Sequence, residues 1–194
     1  MDGLLIDWGG VLTTSVLDSF AAFCRREQLP EDAVRDAFGG AAREILVDLE
    51  NGDIDIATFE RRLARHLHTE PDHLAERLMA EARPDQAMRD AVKRFHDHGV
   101  TTVLVSNSWR GRDDYEGLDD RFDAVVLSQE LRIRKPDPRI YRKALELVAL
   151  PPERCVFVDD LGGNLKPAKQ LGMTTIRHES APMTIAELER VLLP

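Results

Sequence analysis

Leu4-Leu5-Ile6-Asp7-Trp8-Gly9-Gly10-Val11-Leu12, near the start of a 194-residue chain, sets a carboxylate at the end of an apolar run and a glycine pair just behind it. The run over residues 3 to 8 is short and apolar, which predicts a strand buried on both faces that ends in a tight backbone turn. Working outward, four more segments join polar groups to such runs or to the turns that follow them. They are Val103-Leu104-Val105-Ser106-Asn107, Arg134-Lys135-Pro136-Asp137-Pro138, Val156-Phe157-Val158-Asp159-Asp160 and Gly162-Gly163-Asn164. Each alone reads as a turn, a cap or a solvated loop. In one chain, in this order, they predict side chains that meet at one end of a parallel sheet, where open α/β sheets bind their ligands.

The spacing of apolar residues supplies the sheet. A helix over 86 to 98 closed by Gly99 precedes a strand over Thr101 to Ser106. A strand near Ala124 to Leu127, a helix from about Pro138 to Val148 and a strand from Cys155 to Val158 follow. A helix after Gly163, a strand at Met173 to Ile176 and a last helix after Thr184 complete the alternation. From about Ser15 to Ala82 the pattern is helical throughout. Val16, Leu17, Phe20 and Phe23 follow Ser15, a candidate N-cap, and Phe59, Leu63 and Leu67 follow Thr58, with breaks at Leu29-Pro30, Gly39-Gly40 and Asn51-Gly52-Asp53. The predicted fold class is α/β, a Rossmann-like parallel sheet core formed by residues 1–13 and 86–194, interrupted by an all-helical domain over 14–85.

Composition narrows the function. The chain is 43% hydrophobic and 31% charged with a net charge of −9, which makes a nucleic-acid or anionic-lipid surface an unlikely class. No apolar stretch approaches the ~20 residues of a membrane span, and no secretory pattern opens the sequence, so the expected location is cytoplasmic. Cys24 and Cys155 are the two cysteines and are expected as separate reduced core thiols. No oligomeric state is signalled.

The five segments suit phosphoryl transfer. Asp7 can attack phosphorus and divide one hard displacement into two easier ones through an aspartyl phosphate. Magnesium held by Asp7 and the Asp159-Asp160 pair would offset the repulsion between nucleophile and phosphate. Ser106, with Asn107 beside it, can hydrogen-bond a phosphoryl oxygen, and Lys135 can neutralise charge there. The Gly9-Gly10 pair lets backbone amides approach the transferring group.

With these residues in place, the chain resembles the haloacid dehalogenase-like superfamily, in the branch with a helical cap inserted after the first strand. The resemblance implies Asp7 as nucleophile, Ser106 and Lys135 as the second and third motifs, and Asp159, Asp160 and Asn164 as the fourth. It also implies a Gly9 carbonyl that reaches the metal, and a cap over 14–85 that selects substrates. The chain departs from the pattern at Gly9, where phosphatases of this superfamily carry a second Asp as general acid and base, a contribution of about 10²- to 10⁴-fold. A phosphatase of small phosphorylated metabolites is the leading expectation. A non-catalytic ligand-binding descendant is the first alternative. A dehalogenase is the second, opposed by the acidic pair beside a departing halide. A phosphonate-cleaving enzyme would need a cap lysine, and residues 14 to 85 contain none.

Remaining features take plain readings. His66 with His68, and His96 with His98, are two apart and diverge on a helix, so they are expected at the surface. The acidic run Asp113, Asp114, Glu116, Asp119 and Asp120 reads as a solvated loop, and Arg43, Arg61 and Arg62 as helix surface. Trp109 and Arg110 follow Ser106 closely enough to line the mouth of the site.

Overall fold

The computed structural model describes residues 1–115 and 120–193, with the backbone alone at 113 and 114. Chain order is β1 (Gly3–Ile6), α1 (Val16–Arg26), α2 (Ala33–Gly39), α3 (Arg43–Glu50), α4 (Ile56–Leu67), α5 (Leu74–Leu78), α6 (Gln86–Asp97), β2 (Thr101–Ser106), β3 (Ala124–Leu127) and α7 (Ser128–Leu131). Then follow α8 (Pro138–Val148), β4 (Cys155–Asp159), α9 (Gly162–Gln170), β5 (Thr174–Arg177) and α10 (Ala181–Leu192). The strands form one parallel sheet in the order β3-β2-β1-β4-β5. The chain builds outward from β1 on one side and then returns to build on the other. The reversal falls between β1 and β4, which puts a crevice at their carboxyl ends.

Every residue of β1 and β4 is buried, as the unbroken apolar runs require. Alternate side chains serve opposite faces. Leu4 and Ile6 pack with Met88, Val92, Phe95 and Leu188 under α6 and α10, whereas Leu5 and Phe157 pack with Ile140, Tyr141 and Ala144 of α8. A third apolar cluster has its buried members within the helical stretch, around Phe20, Phe23, Leu49, Phe59 and Leu63, with Trp109 packed against it. Cys24 is buried in that cluster and Cys155 in the sheet, so the two free thiols sit in separate cores.

The helical layer leaves and rejoins the sheet at one place. Thr13 and Pro84 form an antiparallel bridge, the Thr14 N–H donates to the Arg83 carbonyl at 2.7 Å, and the Asp85 N–H donates to the Leu12 carbonyl at 3.0 Å. On its far side the layer is tied to α7 and the loop that follows it. Ser128 Oγ donates to the Glu50 carbonyl, Gln129 Nε2 to the Leu49 carbonyl at 3.2 Å, and Arg134 Nε to Glu50 Oε2 at 2.5 Å.

Several boundaries differ from expectation for local reasons. Strand β1 stops at Ile6 rather than at residue 8, because the chain bends at Trp8 after a last backbone bond from the Asp7 N–H to the Val158 carbonyl at 3.0 Å. Ser15 caps α1 as predicted by accepting from the Asp18 N–H. Helix α4 starts at Ile56 rather than after Thr58, because Asp55 is its cap and accepts from the Thr58 N–H at 2.7 Å. Helix α10 starts at Ala181, with Pro182 in its first turn, ahead of the expected Thr184. Strand β5 runs Thr174–Arg177, one residue beyond the expected position. Among the described residues no helix is long and apolar enough to cross a membrane.

Candidate active site at the sheet crevice

Asp7, Ser106 and Asp159 stand at the carboxyl ends of the three central strands, and Lys135 reaches them from the loop before α8. Lys135 Nζ lies 2.6 Å from Asp7 Oδ1 and 2.8 Å from Asp159 Oδ2, with only 1% of the lysine exposed. One ammonium thus bridges two buried carboxylates. Burial opposes its charge, but Asp159 and Asp7 outweigh that and hold the Lys135 pKa above its usual range.

Asp159 is fully engaged. Its Oδ1 accepts from the Leu161 N–H at 2.9 Å and from Asn164 Nδ2 at 3.0 Å, while Oδ2 takes Lys135 and a second contact from Asn164 at 3.1 Å. Asp7 Oδ1 accepts from the Trp8 N–H at 2.7 Å as well as from Lys135, and Oδ2 has no hydrogen-bond partner among the described residues. Burial pushes the Asp7 carboxyl well above its ordinary range. Lys135 pulls it down, while Asp159 and Asp160 push it up. Asp160 rises to about 6, from burial first and then from Asp159.

Oxygens of Asp7, Asp159 and Asp160 lie within 4.8 Å of one another. With the three carboxylates ionised, the single ammonium would leave a local charge of about −2, and a hard divalent cation with oxygen ligands matches that donor set. Because Asp159 is already saturated, Asp7 and Asp160 are the carboxylates with oxygens to offer. Gly10 takes φ +75°, and a Cβ there would lie 2.6 Å from Asp160 Oδ2, so the acidic pair packs against a bare backbone.

Two expectations need correction. The Gly10 N–H was expected to approach the transferring group, but it donates to Thr13 Oγ1 at 3.0 Å, so Gly10 shapes the turn. Asn107 borders the cavity, yet its amide clamps Lys135: Oδ1 accepts the Lys135 N–H at 2.8 Å and Nδ2 donates to the Lys135 carbonyl at 3.2 Å. It positions the lysine instead of standing free for a ligand. Ser106 Oγ is 2.8 Å from the Tyr115 hydroxyl.

Glu50, Arg89 and Arg134 also border the cavity, and nothing in their sequence context marks them as site residues. Burial raises the Glu50 pKa against the pull of Arg134, and its carboxylate also accepts from Asn107 Nδ2 at 3.3 Å. The Arg89 guanidinium sits 4.6 Å above the Trp8 ring.

The other readings resolve simply. Trp109 and Arg110 line the cavity as expected. Arg62 pairs with Asp48, Arg61 bonds Thr58, and Arg43 is exposed, all away from the cavity. His66, His68 and His98 are exposed and His96 is half-buried. Of the acidic run, Glu116 and Asp119 lie outside the described residues, as do the side chains of Asp113 and Asp114, and Asp120 pairs with Arg121 at 3.7 Å.

This arrangement of strand-end carboxylates around a buried lysine, on this sheet order, belongs to a known class. The chain is a member of the haloacid dehalogenase-like hydrolases, whose family profile matches residues 1–172. It is 33% identical over 121 residues to bifunctional epoxide hydrolase 2 of Rattus norvegicus, a match over 58% of this chain and 22% of that protein. The chain therefore spans about a fifth of the length of that relative. It is 25% identical over 182 residues to pyrophosphatase PpaX of Halalkalibacterium halodurans, covering 90% of this chain and 79% of the relative. Its fold matches a HAD-like family hydrolase of Porphyromonas gingivalis with a TM-score of 0.73 at 20% identity, over 100% of this chain and 98% of that one. It also matches a HAD family enzyme of Bacteroides thetaiotaomicron, solved with magnesium and inorganic phosphate, with a TM-score of 0.68 at 22% identity over 92% and 94% of the two chains.

Proposed function

We propose that the protein is a magnesium-dependent phosphatase that works through a phosphoryl group on Asp7. The observation that carries this reading is the buried Asp7–Lys135–Asp159 bridge with Asp160 beside it. Similarity to a pyrophosphatase and to a phosphoglycolate phosphatase of Mesorhizobium japonicum, the latter 24% identical over 184 residues, supports the reaction class. The magnesium and phosphate in the Bacteroides enzyme support the choice of cation.

Each residue then has a defined task. Oδ1 of Asp7 is pinned by Lys135 and the Trp8 N–H, which leaves Oδ2 to attack phosphorus. As the Asp7–phosphorus bond forms, the bond to the leaving oxygen breaks and that oxygen keeps the electron pair. Lys135 and the Ser106 hydroxyl hold the phosphoryl oxygens, and Asn107 and Asp159 hold Lys135. Water then attacks phosphorus, displaces the Asp7 carboxylate and releases phosphate. Magnesium held by Asp7 and Asp160, with the Gly9 carbonyl from the same loop, would supply neutralisation of the phosphoryl charge. The helical layer over 14–85 serves as the cap that closes the site and selects the substrate. Glu50 is a buried acid that this layer contributes to the crevice.

Glycine at position 9 leaves the leaving oxygen without the usual carboxyl donor, so solvent protonates it after departure. The test is phosphate release from a panel of small phosphate esters, with magnesium or with EDTA, for the wild type and Asp7→Asn. Release that requires both the metal and Asp7 supports the proposal. Metal-independent release, or full activity in Asp7→Asn, overturns it. Silence across the panel with magnesium still bound favours the ligand-binding alternative.

A further inference from the structure

We infer that the substrate is an aryl phosphate, a monoester whose leaving group is a phenolic ring system seated against an aromatic wall of the cavity. The inference rests on the phosphatase reading and adds the chemical class of the alcohol. One cavity of about 740 Å3 runs from Asp7, Ser106 and Lys135 outward between the helical layer and the loop behind β2. That volume falls in the range of sites that enclose drug-sized ligands, and a phosphate with a two- or three-carbon polar tail would fill a small part of it.

The outer part of this cavity is apolar. Phe20, Phe38 and Trp109 face one another there, with centroids 5.6 Å apart for Phe20–Phe38, 6.3 Å for Phe20–Trp109 and 6.4 Å for Phe38–Trp109. Leu17, Leu46 and Met79 continue the wall. Phe38 and Trp109 are half-buried and Leu17 is 47% exposed, so the core does not absorb these side chains completely. The charged groups at this end are already committed. Arg110 pairs with Glu76 at 3.1 Å and Arg35 with Asp32 at 2.9 Å. A sugar would have to compete with those pairs for its hydroxyls, whereas a ring offers edges and faces that aromatic side chains accept.

The chemistry at Gly9 selects for the same group. An alkoxide leaves slowly without a general acid, because the pKa of its conjugate acid is near that of water, ~15.7. A phenol titrates near 10, so a phenolate can leave with its electron pair and without a proton from the protein. The balanced reaction is ArOPO3(2−) + H2O → ArOH + HPO4(2−). The P–O(aryl) bond breaks as the Asp7–phosphorus bond forms, the phenolate takes a proton from solvent, and water then cleaves the Asp7–phosphorus bond. Glycine at position 9 and the aromatic wall are separate features that point to one leaving group.

The experiment compares kcat/KM for 1-naphthyl phosphate, phenyl phosphate, glycerol 2-phosphate and acetyl phosphate with magnesium. Phenol and naphthol leave with similar ease, so a gain from phenyl to naphthyl reports the wall. Acetyl phosphate has a good leaving group and almost no body, so it reports the chemistry alone. The expected result is naphthyl above phenyl above glycerol phosphate, with about ten-fold or more between the first and the last. In Phe38→Ala the naphthyl-to-acetyl ratio should fall about ten-fold. Leu17→Gln, at an exposed position that the fold tolerates, should lower the same ratio several-fold and keeps the test open if Phe38→Ala does not fold. Glycerol phosphate used as well as naphthyl phosphate, or an unchanged ratio in both variants, overturns the inference and leaves the phosphatase reading standing on acetyl phosphate. No release from acetyl phosphate or from any ester overturns both.

Discussion

Replacing Lys135 by Met tests the electrostatics of the site without reference to any substrate. The side chain keeps its length and apolar stem but loses the charge that sits 2.6 Å from Asp7 and 2.8 Å from Asp159. At an effective dielectric of about 20, each contact is worth roughly 6 kcal/mol of gross attraction. Much of that is offset by the cost of burying the ions, several kcal/mol apiece. The loss on removing one partner from such a cluster is about 3–5 kcal/mol, because the carboxylates remain behind unpaired. Against a total stability of about 5–15 kcal/mol, the variant should still fold but unfold early. Urea titration in EDTA at pH 7 measures this. With a slope near 3 kcal/mol/M, the midpoint should fall by about 1–2 M. In an Asp159→Asn background the same substitution should cost about 0.5–3 kcal/mol less. A midpoint shift under about 0.3 M, or equal costs in the two backgrounds, would refute the claim that this ammonium compensates two buried carboxylates.

Other outcomes follow from the same geometry. Gly9→Asp should raise turnover of alkyl phosphates about 10²-fold. A Cβ at this position meets only Val16 Cγ2, at 3.2 Å, and absence of any gain in phosphate release would mean that another acid already serves. Asp160→Asn should raise the magnesium concentration that gives half-maximal phosphate release at least ten-fold or so, and an unchanged requirement would remove Asp160 from the metal site. Glu27 pairs with Arg77 at 2.7 Å and bonds Thr69, and these contacts hold its pKa below the ordinary 4.5. Its pairing therefore stabilises fully above pH 4.5 and is lost as the pH falls through the lowered value. Glu27→Gln should cost about 0.5 kcal/mol at pH 7, with a gap that closes below pH 4.5 in denaturant titrations; a gap that widens there would contradict the sign.

The centre of the sheet was legible because β1 and β4 are fully buried and β2 nearly so, and they appear as largely apolar runs closed by Asp7, Asp159 and Ser106. Asp7, Ser106, Lys135, Asp159 and Asn164 could be placed by their position at or beyond these strands. Helix starts were less legible where two capping candidates compete. Asp55 and Thr58 both suit a cap, and only the direction of one backbone hydrogen bond decides between them. Glu50 was not legible at all. It is an ordinary acid at the end of an ordinary helix, and its partners Asn107 and Arg134 lie 57 and 84 residues further along the chain. Nor could the sequence show that Asp159 is saturated or that the Gly10 N–H turns back to Thr13, because both depend on which neighbour arrives first at a given atom.

The bridge between Thr13 and Pro84 places the two ends of the helical layer side by side. The core therefore meets this insertion at two places, the paired backbones of this junction and the contacts of Leu49 and Glu50 with Ser128, Gln129 and Arg134. A helix of this layer other than α3, which carries Leu49 and Glu50, could be lengthened or exchanged without shifting the register of β1 against β2 or β4. Grafting another helical layer at this junction would leave Asp7 and Asp159 at their strand ends, but it would have to keep an acid at the place of Glu50, which holds Asn107 and Arg134 on either side of Lys135's support. On the proposed reading of this layer as a cap, the junction lets the part that selects substrate vary while the strand-end carboxylates are kept.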